Sequence, residues 1–548
     1  MNNNNRNFKI KLIERRRVIN ANGQAKDFYI FLIEIGGNEI VSEVPENQVS
    51  SFSWVEEATH GVARYCSKKG IETLFYQLVH DTIDDQICEV PFKIFYEQNG
   101  WKKFPEGWSY VEGNGVIGNR RTNIFGNPKL RLQCYAGMTE LECCRQFLGM
   151  EKIFKNPNLS RFLMVFVCAS IMGTLYEEKG MPLQFVLALL GTTNTMKTTT
   201  AKVFTQFYNA QDTKKPSVTF ASTKGGIETF VDKYSDAILL IDDFMPADDD
   251  MEMREMSAKL KSIIRLYGDR VAKSRMSANP TQRRAVNEVR GTCVITAEIL
   301  PGIKSSQTRV ISLELPKNGV NTEWLTYYQK NPLLLPTFLR GFIGYIARDC
   351  DTIMRRMSGF FELYRKSAGF SVPRYCDVAA QMRVALDLLC DYFKFVGLDD
   401  AMRLEWTESL YSIIRENDRK LQGTDYAVIL AEALVDGIMK RRGTKDIDEI
   451  GDWGGKEVYE DQNYYYITLN LMYEIYIEYC KSYKIAHYFK KEDIIKKLIE
   501  NEMLDTIIDE RGFVQASRKL CQGKGNFRRF LYIKKKKIQE LCGKGDQI

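Results

Sequence analysis

The run Phe185-Val-Leu-Ala-Leu-Leu-Gly-Thr-Thr-Asn-Thr-Met-Lys-Thr-Thr-Thr200 decides the fold. Six apolar residues, a glycine-led polar turn and a Lys-Thr pair opening the segment TTAKVFTQFY predict a buried strand, a phosphate loop and a helix in succession. Such a loop works by crowding backbone N–H groups around phosphate oxygens, a task for Gly191, Thr192, Thr193, Asn194, Thr195 and Met196. Lys197 then reaches the β and γ oxygens, Thr198 offers a hydroxyl to Mg²⁺, and Thr199 continues the first helical turn. ATP and Mg²⁺ are the expected ligands. Met196 departs from the pattern, because the position before the lysine is usually glycine and a side chain there limits how closely backbone and phosphate approach. Taken alone, the segment also reads as a Thr-rich turn with no ligand.

A second strand supports the first. Ala237-Ile-Leu-Leu-Ile-Asp-Asp-Phe244 is an apolar run ending in two carboxylates. Asp242 is placed to hold Mg²⁺ through water, and Asp243 to orient and deprotonate an attacking water. A charged exit from any sheet strand is the plainer alternative. The third strand, Thr292-Cys-Val-Ile-Thr-Ala-Glu298, ends in polar residues, of which Thr296 is the first candidate to sense the γ-phosphate and Glu298 the second. Arg309, just before the strand VISLEL, is a candidate arginine finger or else a surface arginine at a strand start. Arg374 and Arg383 are weaker candidates of the same kind. Short buried strands alternating with helices indicate a parallel sheet covered on both faces.

Between the second and third strands lies GDRVAKSRMSANPTQRRAVNEVRG, two polar stretches around the turn signal Ala278-Asn-Pro280. Lys273, Arg275, Arg283 and Arg284 make it a basic hairpin suited to a phosphate backbone, or an exposed loop with unpaired charge. The loop around Lys224, Gly225 and Gly226 is a further candidate for facing a nucleic-acid channel. Net charge is +7 over 548 residues, and the segment from Arg511 to the end holds eleven basic residues against two acidic ones. The rest of the chain is therefore close to neutral. Arg528, Arg529, Lys534 and Lys535, interleaved with Phe527, Phe530 and Tyr532, read as a DNA-contact surface; the alternative is a solubilising tail.

Organisation follows from local pattern. Residues 1–135 form a β-rich N-terminal region, with FKIKLIERR and DFYIFLIEI as strands and GWKKFPEGWSYVEGNGVIG as short strands joined by tight turns. Residues 136–182 are a helical connector, with Asn158 or Ser160 as the cap of its second helix. Residues 183–320 are the α/β core, 321–447 a helical region and 448–463 a Gly- and acid-rich linker. Residues 464–548 read as three helices and an extended pair.

Composition excludes several classes. With 13 Cys but no C-x-x-C spacing, and only His60, His80 and His487 among the histidines, zinc hydrolases and Ser/His or Cys/His nucleophilic enzymes are disfavoured. The cysteines read as buried reduced thiols. The longest uncharged apolar stretch, Phe162 to Tyr176, is shorter than the ~20 residues that span a bilayer. The start of the chain has no apolar signal core, so a cytoplasmic protein without membrane contact is expected.

The order phosphate loop, double-Asp strand, basic hairpin, polar strand end and arginine resembles the AAA+ ATPases, within the branch of superfamily 3 and minichromosome-maintenance-like helicases. The stretch from about residue 90 to 316 is similar to a bacterial family of phage, plasmid and integrative elements that includes cassette-chromosome helicases of staphylococci. This resemblance implies an AAA+ core followed by a helical lid and a C-terminal winged helix on duplex DNA. It also implies a homo-oligomeric ring, often a hexamer, with nucleotide between subunits, Arg309 acting in trans, and DNA moved through the channel by Lys273 and Arg275. An ATP-dependent helicase of a mobile element, working with a primase or polymerase, is the implied function. Asp243 departs from the Glu of many relatives. With Met196, it leaves a DNA-binding initiator or scaffold that uses nucleotide only for assembly as the rival.

Overall fold

Alternation starts the first strand. In β1 (Phe8–Ile19), Phe8, Ile10 and Leu12 are buried and the residues between them face out. With β2 (Ala25–Ile35) and β3 (Asn38–Pro45) it forms an antiparallel meander, whose apolar face is covered by α1 (Ser53–Ala58) and α2 (Ile71–Gln86). Phe31 stacks on Trp54 with centroids 5.1 Å apart, and Phe75 closes the cluster edge-on. Each such buried aromatic contributes roughly 1.5–3 kcal/mol of transfer free energy. The computed structural model describes residues 6–66, 69–118, 121–208, 218–231, 234–244, 250–270, 289–300, 307–423, 426–441, 443–447, 457–482, 490–508, 514–522 and 526–542.

The strand β4 (Phe92–Tyr96) joins β1 in parallel. Next come β5 (Gly100–Phe104), β6 (Gly107–Glu112) and β7 (Gly115–Ile117), an antiparallel meander in the expected glycine- and aromatic-rich stretch. The short β8 (Ile124–Phe125) pairs with β4 and completes the N-terminal sheet. The N-terminal region is thus a sheet carrying two helices rather than strands alone.

The connector contains α3 (Glu140–Gly149), opened by a Thr139/Glu142 capping box, then α4 (Pro157–Ser170) and α5 (Gly173–Glu178). The cap of α4 is Asn156, whose side chain accepts from the Asn158 N–H, with Pro157 in the first turn. Neither Asn158 nor Ser160 caps it; the Ser160 hydroxyl instead accepts from the Phe154 N–H. Every residue from Leu159 to Ser170 is buried, so α4 is a core helix.

Against it lies a parallel sheet of β9 (Val186–Leu190), β10 (Val218–Thr219), β11 (Ile238–Phe244), β12 (Thr292–Ala297) and β13 (Val310–Glu314), in the order β10-β11-β12-β9-β13. Four of these strands were legible as apolar runs, while the two-residue β10 was not. The helices α6 (Lys197–Thr205), α7 (Lys224–Val231) and α8 (Asp250–Asp269) accompany them. Helices Thr322–Lys330, Leu334–Arg348, Cys350–Ser367, Pro373–Phe395 and Arg403–Gly423 come after β13.

The chain divides into two compact units, Met1–Ile299 with Arg309–Ile414, and Leu300–Thr308 with Arg415–Ile548. The boundary therefore falls inside a helix of the 321–447 region, because the earlier helices pack on α3, α4, α6 and the β5–β7 meander and helix Tyr426–Lys440 packs on helices Leu469–Ser482 and Lys535–Leu541. In the second unit that helix shares a core with helices Leu469–Ser482 and Lys491–Glu500. Its sheet contains β14 (Lys445–Asp446), β15 (Tyr459–Glu460) and β16 (Tyr464–Ile467). The small pair β17 (Ile507–Ile508) and β18 (Val514–Gln515) precedes β19 (Arg518–Gln522) and β20 (Asn526–Lys534), and β16 pairs with β20. Tyr464–Ile467 is a strand where a helix was expected: Tyr464 and Tyr466 lie beside Tyr532 and Phe530, and Tyr465 and Ile467 face the helices. Among the described residues, no helix is long and apolar enough to cross a membrane.

Candidate functional site

Parallel strands end together, so the C-terminal ends of β9, β11 and β12 form one edge. Crevices at such edges, where strand order reverses, are where open α/β sheets take ligands. The phosphate loop leaves β9 there and turns into α6. Gly191 is required by space, since a Cβ would lie 2.7 Å from Thr195 Oγ1 and 2.9 Å from the Leu315 carbonyl. The Thr195 side chain closes the loop from within by donating to the Thr192 carbonyl at 2.8 Å. Asn194 and Met196 have φ of 69° and 61°, the left-handed region that L side chains enter at a cost of roughly 1–2 kcal/mol. Met196 thus adopts the backbone that glycine would adopt freely, with its side chain directed outward at 42% exposure.

Lys197 Nζ donates to the Gly191 and Thr192 carbonyls, at 2.6 and 3.0 Å. Thr198 Oγ1 donates to Asp242 Oδ1 at 2.8 Å, and the Thr296 hydroxyl donates to that same oxygen. Thr296 Oγ1 in turn accepts the Asp243 N–H at 2.9 Å. A register shift between Ile241 and Phe244, together with a φ of 67° at Asp243, breaks the pleat at this point. The bulge turns Asp242 inward to the two hydroxyls and leaves Asp243 exposed, which is how bulges re-aim side chains at sites. The Thr193 hydroxyl bonds Glu298, tying the loop to the end of β12. That contact, like the Thr195 brace, escaped the sequence reading. Only the density of threonine in the loop pointed to it.

The Thr198 hydroxyl and Asp242 carboxylate are hard oxygen donors in one place, the chemistry that Mg²⁺ requires. Among the described residues, no group of three or more His, Cys, Asp or Glu would hold a metal by itself. Two oxygen donors would leave the remaining positions of a magnesium ion to water or ligand oxygens.

Arg309 lies elsewhere. Val310 pairs with Val186 at the start of both strands, while the phosphate loop begins after Leu190 at the other end, about 16 Å away at ~3.3 Å per residue. Its guanidinium donates to Asp269 Oδ1 at 2.7 and 3.0 Å, at the C-terminal end of α8. Arg374 donates to the Gly268 carbonyl at 3.0 Å, and burial pushes its pKa down, with the nearby Arg309 charge adding to the effect. Neither arginine reaches the loop of its own chain. Arg383 is occupied by Thr407 and Asp387.

The DNA-contact candidates separate. Lys273, Arg275, Arg283 and Arg284 lie in 271–288, outside the described residues, and the Lys224 side chain is not described. On β20, Arg528 and Arg529 are exposed, and strand alternation places them on opposite faces of the sheet. Lys535 pairs with Glu460 at 2.6 Å and sits over the Tyr465 ring, so its charge is used inside the unit. The Lys534 backbone N–H donates to the Met503 carbonyl.

All described cysteines are free thiols. Cys66 and Cys88 are exposed, which corrects the expectation of uniform burial. Burial pushes the adjacent Cys143 and Cys144 thiols up to about 11 and about 12, far from a reactive thiolate.

No family profile matches the chain, and no curated protein is similar to it in sequence. A solved structure, that of the SCCmec type IV Cch active helicase, aligns with a TM-score of 0.62, covering 97% of this chain and 94% of that one at 12% identity. The chain has a helicase-like fold. The likeness runs over nearly the full length of both proteins, so it takes in the N-terminal sheet and the second unit as well as the parallel sheet.

Proposed function

We propose that the protein is an ATP-dependent DNA helicase or translocase of the AAA+ class, acting as a ring in the replication of a mobile genetic element. The observation that carries this reading is the convergence of Thr198, from the phosphate loop, and Thr296, from β12, on the carboxylate of Asp242. Two segments about a hundred residues apart in sequence meet at one oxygen, on the edge where the loop turns into α6.

In this reading Gly191 to Met196 wrap the phosphates and Lys197 exchanges its two loop carbonyls for β and γ oxygens. Mg²⁺, held by Thr198 and Asp242, neutralises phosphate charge when bound. Asp243, exposed beside them, accepts the proton of the attacking water, and Thr296 holds the two aspartates in register. Arg309, far from its own loop, acts on the nucleotide of a neighbouring subunit. In the second unit, a strand, two helices and the β19–β20 pair come in the order of a winged helix, a reading that fits the exposed Arg528 and Arg529. DNA is the partner, with a primase or polymerase of the same element as a further one.

The test is ATP hydrolysis by the full chain in magnesium buffer, with and without DNA. Turnover that DNA stimulates supports a motor. The left-handed backbone at Met196 favours the rival, an initiator or scaffold that binds nucleotide for assembly; binding with neither turnover nor stimulation would establish it instead.

A further inference from the structure

The sheet of the second unit has two faces, and its helices use one. Along β20, Leu531 and Ile533 belong to the core shared with helices Tyr426–Lys440, Leu469–Ser482 and Lys491–Glu500. Strand alternation turns Arg528, Phe530, Tyr532 and Lys534 to the other face. Register sets Arg518 of β19 opposite Phe530, and Tyr464 and Tyr466 of β16 opposite Lys534 and Tyr532. Three strands thus gather tyrosines and basic side chains on the face away from the helices.

The rings on this face differ in depth. Phe530 and Tyr459 are buried at the base of the cluster, whereas Tyr464 and Tyr532 are half-buried at its surface. Tyr532 meets Tyr466 edge-on at 4.8 Å and Tyr464 at 6.1 Å. The Tyr466 hydroxyl donates to Asp461 Oδ2 at 2.5 Å, which fixes the middle ring. The Arg518 guanidinium lies 4.5 Å from the Tyr532 centroid and pairs with Asp505, so it is held over that ring. Cross-strand aromatic packing explains the buried rings. It does not call for an arginine over Tyr532, nor for a basic residue at each end of the row Arg528, Phe530, Tyr532, Lys534. Rings flanked by cations suit a single strand, because every base has a π-face to stack and the phosphates follow positive charge. The segment from Arg511 to the end, with eleven basic residues against two acidic ones, adds to that attraction.

We propose that this face binds a single strand of DNA, with bases stacked on Tyr464 and on the Arg518–Tyr532 pair and phosphates on Arg528 and Lys534. The proposal rests on the reading of DNA as the partner and adds a single-strand site to a unit read as binding duplex.

Fluorescence anisotropy of the full chain, with a labelled oligothymidine and with a labelled duplex, tests it. Tyr464→Val keeps a β-former in the strand and removes the ring. It should weaken oligothymidine binding about tenfold and leave duplex binding within about twofold of wild type. Arg528→Ala should weaken oligothymidine binding about threefold or more, and Arg529→Ala, on the opposite face, by less. Unchanged oligothymidine affinity in Tyr464→Val overturns the proposal. If that variant loses the duplex as well, the unit has been disturbed and the two arginines decide: unequal losses support the proposal and equal ones overturn it. Wild type that binds duplex but not oligothymidine overturns the proposal and leaves the DNA reading standing. Wild type that binds neither removes both.

Discussion

Strand β11 carries a carboxylate near each end, and the two have opposite fates. Asp236, just before the strand, is entirely buried with a φ of 48°. Its oxygens accept the Trp101 N–H at 2.9 Å, the Thr174 N–H at 2.6 Å and the Thr174 hydroxyl at 2.7 Å. Gly100 is needed to let it in, because a Cβ there would lie 2.1 Å from Asp236 Oδ2. This carboxylate joins the β5–β7 meander and the start of α5 to the parallel sheet. Asp242, at the other end, accepts two hydroxyls at the C-terminal edge of the sheet, beside an exposed second aspartate. One end of the strand uses its acid to hold layers together, whereas the other keeps it beside the loop proposed to bind nucleotide.

The sharpest way to separate the two ends is Lys197→Ala. It should lower ATP turnover by roughly 10³-fold, since it removes a charge placed at the transferred phosphoryl group. The urea midpoint should stay at the wild-type value. Normal turnover would remove the site from consideration.

Asp236→Asn should do the reverse. Its Nδ2 would face a backbone or hydroxyl donor, costing about 3 kcal/mol of stability, while turnover per folded molecule is kept. A pH series extends the test. Burial raises the Asp236 carboxyl to about 6 from 3.8, with the three donors and the Lys102 charge opposing the rise. Burial also lowers the Lys102 ammonium to about 8. Between pH 4 and 6 the folded state retains a proton on Asp236 that the unfolded chain has released. This group's contribution is therefore complete below about pH 4 and is lost as pH rises through about 6, a change of about 3 kcal/mol. The difference in stability between wild type and Asp236→Asn, followed by urea unfolding, should shrink over that window. A difference independent of pH would contradict the assignment.

Thr296→Val should reduce kcat about tenfold to a hundredfold with KM little changed, because the hydroxyl positions Asp242 and Asp243 without touching substrate. An unaltered kcat would mean the bulge holds the aspartates unaided. The smallest effect is expected from Met196→Gly. Relief of the left-handed backbone, roughly 1–2 kcal/mol, is partly offset by the freedom glycine gains in the unfolded chain, leaving a gain of about 0.5 kcal/mol. Tighter tripolyphosphate binding should accompany it. A loss of stability would show that the Met196 side chain makes contacts worth more than the strain.

The parallel sheet and the strand–loop–helix that begins at Val186 were legible because their signals are local. A run such as Val186–Leu190 buries on both faces, and the turn after it carries its chemistry in consecutive residues. Asp242 and Asp243 were legible for the same reason. Asp236, six residues before Asp242, carried no comparable signal, because its partners Trp101 and Thr174 are 135 and 62 residues away in sequence. The expected cap at Asn158 or Ser160 missed by two or four residues, and Tyr464–Ile467 passed for helix, because a few aromatic residues have no period long enough to distinguish the two. The face each side chain takes was also hidden. Arg528 and Arg529 are neighbours in sequence and opposed in space.

By itself, the order of residues determined that a glycine-led polar loop opens a helix after a buried strand, and that a double aspartate ends another. Covalent neighbours settle such features through backbone geometry and burial. Tertiary structure alone decided that Thr198 and Thr296 meet on Asp242 and that Arg309 lies at the far end of the sheet from its own loop. Each of these depends on which strands become neighbours, a choice made by the packing of the whole core.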